Sequence, residues 1–156
     1  MRRTDRELKT SEELRDVFND GKIAQIAFID GKEPYIVTLN YGYAWETEKP
    51  RLYFHSANEG RKIDLIKKNP RVCFTIAIYD PFVKGEKACN YGMKYRSIVG
   101  YGTVRIVENI EERILGLNLL MKQYTGQEDW KYDDVMLKKT TVFRLEVERM
   151  SGKRKK

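Results

Sequence analysis

Six short segments rich in β-branched and aromatic residues dominate the chain, and most of them are joined by turn residues rather than by helices. The predicted strands cover residues 22–29, 35–41, 52–55, 72–79, 95–107 and 142–147. The regular alternation of strand and helix that would predict a parallel sheet is missing. The pattern therefore predicts a small antiparallel barrel, closed or nearly closed, with helices at the junctions.

Three helices are predicted from their starting and stopping signals. The first follows a T-x-x-E capping box at Thr10 and ends at Gly21, because glycine commonly ends a helix. The second ends at Asn69, since the following proline disfavours helical geometry in the residue before it. The third begins after a capping box at Asn109 and ends at Gly126. All three lie at junctions between predicted strands.

Turns and loops are predicted for much of the remaining chain. Asp30-Gly31 is predicted to be the two-residue turn of a hairpin, because both residue types tolerate a positive φ. Residues 42–50 are polar and charged, and we predict a loop there. Residues 80–94 contain a proline and two glycines and are predicted to form a second, longer loop. Loops of this length are typically functional or disordered.

Two glycines interrupt the predicted strand 95–107. Gly100 and Gly102 are two residues apart, so they lie on the same face of that strand. Such a pair indicates a sharp bend, a bulge, or another part of the molecule passing close to the backbone.

The formal net charge of +7 raises the question of a nucleic-acid partner. Residues 153–156 are all Lys or Arg. Elsewhere acidic and basic residues are interleaved and nearly balanced, which leaves no stripe that would follow a phosphate backbone. We therefore expect no nucleic-acid partner, and we interpret the tail as a solvated end.

The sequence contains no signal for export or membrane insertion. Its apolar runs fall well short of the roughly 20 residues that span a bilayer, and no apolar segment follows the charged N-terminus. The expected location is the cytoplasm, with no membrane partner. Cys73 and Cys89 lack the spacing of a disulfide framework or a zinc motif, so we expect reduced thiols, with Cys73 in the core, and no metal site.

The segment from the third predicted strand to the second helix is best suited to bind an anion. The strand ends at His55, the only histidine, and Arg61 and Lys62 stand at the start of the helix. Backbone N–H groups and the helix dipole favour an anion at that position. Cations there oppose the dipole, which points to a bound phosphate. Two alternatives stay open: the cations are simply solvated, or Ser56 and Glu59 form an S-x-x-E capping box that needs no ligand.

A second cluster lies in residues 91–97, where tyrosines, a methionine and cations occur together. Rings stack and guanidinium groups pair with anions, so this mixture suits a flat aromatic ligand with a negative group. The rim of a dimer interface has the same composition and is the alternative interpretation.

The strings FHSANEGRKIDLIKKNPRVCF and ACNYGMKYRSIVGYGTV resemble the flavin-binding split-barrel superfamily of pyridoxamine 5′-phosphate oxidase, and within it the nitroimidazole-resistance (Nim-type) group. The resemblance runs from about Arg6 to the SGKR near the C-terminus. It implies a mainly β (α+β) fold, an antiparallel Greek-key split β-barrel with flanking helices. It also implies one flavin-binding domain over residues 1–156 and a homodimer with a flavin at each end of the interface. FMN is the implied cofactor, and FAD and haem are the alternatives.

The resemblance also implies which residues contact the flavin. Gly60, Arg61 and Lys62 are expected at the phosphate, His55 and Ser56 in the cleft, Val37, Thr38, Leu39 and Asn40 along the isoalloxazine ring, and Arg96 and Ser97 near the ring's edge. Two departures argue against pyridoxamine phosphate oxidation. The oxidase has a phosphate-binding arginine on the strand that corresponds to residues 35–41, which contain none, and this chain ends in SGKRKK.

The leading functional hypothesis is a flavin-dependent oxidoreductase that resembles Nim-type reductases and reduces nitro groups on small aromatic compounds such as 5-nitroimidazoles. His55 is the candidate catalytic residue, orienting the substrate or transferring a proton near the ring. The second hypothesis is a non-catalytic flavin- or haem-binding protein in which His55 ligates iron. The third is a basic nucleic-acid or interaction module that binds through residues 153–156.

Overall fold

The structure is a computed structural model that describes residues 3–155, with only the backbone given at residue 80. In chain order the elements are β1 (Glu7–Leu8), α1 (Ser11–Asp20), β2 (Ile23–Asp30), β3 (Glu33–Asn40), β4 (Gly42–Ala44), β5 (Arg51–Ala57), α2 (Arg61–Lys68), β6 (Arg71–Val83), β7 (Gly92–Ile106), α3 (Ile110–Thr125), α4 (Asp134–Lys139) and β8 (Thr140–Lys155). Single turns of 3₁₀ helix cover Thr4–Arg6 and Ala88–Asn90. All three predicted helices are present, and α4 and β1 are additional elements that were not predicted.

The strands form a single antiparallel sheet in the order β3-β2-β6-β7-β8-β5-β4, and β1 pairs with β8. Only Tyr41 separates β3 from β4 in the sequence, so the two ends of this order lie next to each other in space. The sheet therefore wraps into a barrel that is split between its first and last strands. The predicted antiparallel split barrel with flanking helices is confirmed.

Alternating residues of the strands fill the barrel. The largest fully buried side chains include Phe54, Phe74 and Phe143, and the rings of Phe54 and Phe143 are stacked with centroids 5.2 Å apart. Helix α1 contributes Phe18 to the same core. The buried Tyr41 hydroxyl donates to the carbonyls of Phe18 (2.8 Å) and Gly21 (3.0 Å), which fixes the end of α1 to the split in the barrel. Helix α3 packs outside, against β4 and β5.

The first hairpin turn lies one residue later than predicted. Asp30 pairs with Glu33, so the two-residue turn consists of Gly31 and Lys32 rather than Asp30 and Gly31. Gly31 has φ +65°, whereas the φ of Lys32 is not positive. A positive φ is needed at only one turn position, and Asp30 remains in the strand.

Both predicted loops contain strand residues. Within 42–50, the three residues Gly42–Ala44 form β4 and pair with β5. The prediction of a loop over residues 80–94 is also wrong at both ends, because β6 continues to Val83 and β7 begins at Gly92. The two strands form an exposed ribbon here, in which charged residues alternate with apolar ones. Such a ribbon has the same composition as a loop, which explains why a loop was predicted.

The basic C-terminus is not a solvated end over its described residues. β8 continues to Lys155, where Lys153 pairs with Glu7 and Ser97, and Arg154 pairs with Arg96. Backbone pairing with β7 along all three described residues, and with β1 at Lys153, holds this segment in the sheet although every side chain in it is basic. Lys156 lies outside the described residues.

Candidate functional site

The N-terminus of α2 is open to an anion. Gly60, the residue before it, has φ +125° and ψ 163°, a conformation essentially restricted to glycine. No side chain within residues 3–155 caps this helix. The alternative of a capping box formed by Ser56 and Glu59 is wrong, because Ser56 belongs to β5 and its hydroxyl donates to the Ala57 carbonyl at 2.8 Å. The first backbone N–H groups of α2 are therefore left for water or a bound anion.

Arg61 links this helix end to the β2–β3 hairpin. Its Nε donates to Asp30 Oδ2 at 2.6 Å, and its guanidinium lies over the Tyr35 ring, 4.9 Å from the centroid. The predicted phosphate-binding residues are thereby held beside the start of β3. Sequence reasoning did not identify Asp30 or Tyr35 as part of the site, because a contact across 31 residues has no local signal.

The strand β3 runs away from this helix end and has one free edge. It is the first strand in the sheet order and pairs only with β2 among the described strands. Val37 and Leu39 pack against the core, whereas Thr38 and Asn40 alternate to the other face. Backbone N–H and C=O groups on the unpaired side of β3 can therefore form hydrogen bonds with the polar atoms of a ligand ring. Thr38 lies roughly 10 Å along the strand from Tyr35, so the residues predicted to contact the phosphate and those predicted to contact the ring are well separated.

His55 carries a buried nitrogen that lacks a protein partner. It stands on β5 opposite Val142, and its Nδ1 is inaccessible to solvent and makes no hydrogen bond to any described residue. Burial lowers the pKa of His55, and the positive charge of Lys62 lowers it further. The imidazole is therefore neutral at neutral pH, and one ring nitrogen is free to accept or donate a hydrogen bond to a ligand.

We expect His55 to make the protein less stable in mild acid. The unfolded chain binds a proton at about pH 6.5 while the folded chain resists it, so the free energy of unfolding falls as the pH drops below that value. Denaturation by urea at about pH 7.5 and about pH 5.5, without added flavin, should show a smaller loss of stability in His55→Gln than in the wild type. An equal loss in both proteins would contradict the assigned pKa direction.

Arg96 and Ser97 point to opposite faces of β7. Arg96 donates from Nη1 to Asp20 Oδ2 at 2.6 Å, at the end of α1. Ser97 lies on the face of the sheet that points away from the barrel interior, in a groove of about 520 Å³. The other residues that line this groove are Gln25, Thr75, Ala77, Tyr79 and Tyr95. Sequence reasoning placed both residues near one ring edge, whereas the strand alternation separates their side chains.

The predicted site residues form two groups at opposite ends of the sheet. Ser97 pairs with Ala77, which is level with Ile23 at the start of β2, whereas Arg61 contacts Asp30 at its end. The eight residues of β2 separate those levels by roughly 23 Å. A single chain therefore does not bring Ser97 to the helix end that carries Arg61.

The outer face of strands β3, β2, β6 and β7 exposes large apolar side chains. They are Ile23, Ile29, Ile36, Tyr79, Val99 and Tyr101, all at least 36% exposed. A second groove of about 350 Å³ on this face is lined by Ala27, Cys73 and Tyr101, among others. Cys73 was predicted in the core, but its neighbours Val72 and Phe74 face inward, so its side chain faces out. We refer to this surface as the outer face.

Residues 3–155 contain neither a cluster of metal ligands nor a helix that could span a membrane. Within them, no three His, Cys, Asp or Glu side chains come together as a metal site would require. No described helix has both the length and the apolar character needed to cross a bilayer.

Known proteins share both the sequence pattern and the fold. The family model of pyridoxamine 5′-phosphate oxidase matches residues 10–154. A proposed 5-nitroimidazole antibiotic resistance protein from Bacteroides thetaiotaomicron has a solved structure that is 27% identical, with a TM-score of 0.81 over 94% of this chain and 85% of that one. Among curated protein sequences, none matches this chain.

Two more distant structures share the fold. An FAD- and haem-binding protein from Mycobacterium smegmatis is 16% identical, with a TM-score of 0.82 over 97% of this chain and 74% of that one. A flavocytochrome from Azotobacter vinelandii is 16% identical, with a TM-score of 0.81 over 100% of this chain and 72% of that one. At this level of identity the likeness establishes the architecture alone.

Proposed function

The chain belongs to the pyridoxamine 5′-phosphate oxidase family, and from that premise we propose that it binds FMN and reduces small, flat nitroaromatic compounds. The observation that carries the proposal is the uncapped N-terminus of α2, where Gly60 leaves backbone N–H groups free and Arg61 and Lys62 add positive charge. Cations in a first turn oppose the helix dipole; Asp30 already pairs with Arg61, and a phosphate would compensate the positive charge of Lys62 and of the helix dipole. The family assignment also confirms the resemblance predicted from the sequence.

The residues present fit a flavin mononucleotide. Gly60, Arg61 and Lys62 would hold its phosphate, and the free edge of β3 from Val37 to Asn40 would face the ring. The buried, unpartnered His55 Nδ1 would gain a hydrogen-bond partner in the cleft, whereas Ser56, the next residue on β5, has its side chain on the opposite face of the strand. When bound there, the flavin supplies hydride or electron transfer, which no side chain of the protein provides. FMN is preferred to FAD because an anion site for one phosphate is what the described residues offer.

The proposed substrate class is a 5-nitroimidazole or a similar small ring. The solved structure at 27% identity is a proposed 5-nitroimidazole resistance protein, and the neutral imidazole of His55 suits an uncharged aromatic ligand. Oxidation of pyridoxamine phosphate is not proposed, since residues 35–41 contain no arginine for the phosphate of that substrate. His55 would orient the nitro compound or hold a proton at a ring nitrogen.

A single-turnover experiment tests the reductase proposal. FMN-loaded protein is photoreduced without oxygen and mixed with a 5-nitroimidazole. We expect the flavin absorbance to return while the nitro absorbance is lost, faster than in a matched solution of free reduced FMN, and more slowly in His55→Ala. Equal rates with protein and with free FMN would refute a reductase.

The second candidate function is a non-catalytic flavin- or haem-binding protein. The observation that favours it is again the His55 Nδ1, which has no partner among the described residues and has the chemistry of an iron ligand. An absorption spectrum of the protein as purified separates the candidates: a Soret band that is lost in His55→Ala supports haem, and flavin bands support FMN.

We also propose that the protein is a homodimer that pairs through the outer face. Six large apolar side chains exposed on one sheet face are typical of an interaction surface rather than of a monomer. A two-fold related copy would bring Ser97 of one chain toward Arg61 of the other, which one chain cannot do. Light scattering should give twice the mass of one chain, and a monomeric mass at micromolar concentration would contradict this pairing.

A further inference from the structure

A groove of about 520 Å³ lies between α3, α4 and the segment 126–133 that joins them. Helix α3 contributes Arg113 and Ile114 to its lining, and α4 contributes Leu137 and Lys138. Leu137 is buried and Ile114 half-buried, so part of the lining is apolar. The volume is in the range that holds a small ligand. None of the described residues that line this groove is assigned to the flavin site.

The joining segment 126–133 is held in place although it has no regular secondary structure. The Oδ1 of Asn118 on α3 accepts from the backbone N–H of Trp130 (3.2 Å) and from the hydroxyl of Tyr132 (2.9 Å). The indole Nε1 of Trp130 donates to the Gln127 carbonyl at 3.2 Å, and the side chain is still 38% exposed. Because its polar atom is occupied and its position fixed, the indole ring can stack on a planar ligand at little cost in side-chain entropy.

The groove has an excess of positive charge. Arg113, Lys131 and Lys138 line it, and Asp134 is the one carboxylate among the described residues of its lining. Within residues 3–155, none of these four side chains forms an ion pair. Three cations against one carboxylate leave two positive charges that no protein group compensates. Charge complementarity therefore favours an anionic ligand.

Arg113 is positioned to bind such an anion. Its half-buried guanidinium donates from Nη2 to the carbonyls of Leu137 and Thr140, the latter at 2.6 Å, which anchors it at the end of α4. The Nε and Nη1 groups make no hydrogen bond to any residue within 3–155. A guanidinium that is already held in one orientation loses little freedom when it binds a carboxylate, and such charge-assisted hydrogen bonds are strong.

We propose that the groove between α3 and α4 binds a small planar aromatic carboxylate, whose ring stacks on Trp130 and whose carboxylate accepts hydrogen bonds from Arg113. Lys131 and Lys138, both exposed, add positive charge. A singly charged carboxylate is favoured over a doubly charged phosphate, because Asp134 repels the second charge.

This site goes beyond the proposed function, since it does not require a bound flavin. It borders the turn that precedes the anion site at α2: the Asn58 side-chain amide donates to the Lys138 carbonyl at 2.7 Å, two residues before Gly60. The groove nevertheless has its own lining, so the aromatic carboxylate and FMN should bind to one chain at the same time.

The probes that test the proposal are 2-naphthoate and 2-naphthamide, which have the same ring system and differ in charge. The full chain, labelled with ¹⁵N, is titrated with each probe by NMR, with and without excess FMN. The indole N–H signals of the two tryptophans are assigned with Trp130→Phe. We expect 2-naphthoate to shift the Trp130 signal and not that of Trp45, and to bind about tenfold more tightly than 2-naphthamide.

A pair of lysine variants locates the charge requirement. Lys131→Gln with Lys138→Gln should weaken 2-naphthoate binding about fivefold, because exposed charge pairs are weak individually. Lys67→Gln with Lys68→Gln, which removes the same charge from α2, should leave it unchanged. The lysines are chosen because Arg113 also anchors α4.

Four results would overturn the inference. They are equal affinity for the two probes, no shift of the Trp130 signal at millimolar 2-naphthoate, equal weakening in the two lysine variants, and displacement of 2-naphthoate by FMN. The last would place the probe in the flavin site. If the chain takes up no FMN, the proposed function fails, and the titration without FMN still decides this inference.

Discussion

Replacing Arg61 and Lys62 together by alanine is expected to weaken FMN binding about a hundredfold while the fold is retained, because hydrogen bonds to a charged group contribute about 1.5–3 kcal/mol each. The two cations stand at an uncapped helix N-terminus, so their removal leaves the backbone N–H groups as the main phosphate contacts. The ion pair of Arg61 with Asp30 is also lost, but the Arg61 side chain is mostly exposed, and such pairs contribute little to stability.

The matched control for this variant lies on the same helix. Lys67→Ala with Lys68→Ala removes the same charge from the last turn of α2. We expect this control to bind FMN as the wild type does, since the two lysines stand at the opposite end of the helix. Fluorescence titration gives the affinity, and thermal unfolding verifies that both variants are folded. Equal weakening in the two variants would mean that net charge, and not the anion site, determines binding.

Gly102→Ala is expected to reduce the free energy of unfolding by about 3 kcal/mol, at the upper end of what overpacking costs. A Cβ at Gly102 would lie 2.0 Å from the carbonyl oxygen of Glu146 on the neighbouring strand. That oxygen belongs to the β8 backbone, so the clash can be relieved only by shifting a strand. The β7–β8 register also changes between Tyr101 and Gly102, which places the clash at the bulge that bends the sheet.

The same substitution at Gly31 separates steric from conformational effects. Gly31 has φ +65° and open space where a Cβ would be placed. Gly31→Ala should therefore cost only the strain of a positive φ, about 1 kcal/mol. Urea denaturation of both variants gives the comparison. A loss at Gly102 no larger than that at Gly31 would contradict the close approach of β7 and β8.

Local signals in the sequence determined what could be predicted of the fold. The T-x-x-E box at Thr10 forms as expected: its side chain accepts from the Glu13 N–H and the Glu13 carboxylate accepts in return. The pair Gly100 and Gly102 predicted a bend, a bulge or a close approach to the backbone, and the structure contains a bulge and a close approach at this point. The S-x-x-E pattern at Ser56 failed because Ser56 pairs with Thr141 in the sheet, and tertiary pairing overrides a local cap.

The candidate site was predictable in its parts but not in its arrangement. The proposed anion-binding role of Arg61 follows from its place at a helix start, which is a local property. Its contacts with Asp30 and Tyr35, and the roughly 23 Å that separate it from Ser97, depend on how distant strands pair. The strand residues at the ends of the segment 80–94 were hidden by its loop-like composition. The composition of residues 91–97 suggested an interface as one alternative, but it does not show what surface would meet them.

The most direct test of the account is to release and identify the molecule that copurifies with the full chain, and then to titrate the ligand-free protein with FMN. We predict a yellow protein that releases FMN, and one high-affinity FMN per chain on titration, with the affinity lost in Arg61→Ala with Lys62→Ala. A colourless protein that takes up no flavin, or one whose only bound chromophore is haem, would contradict the account.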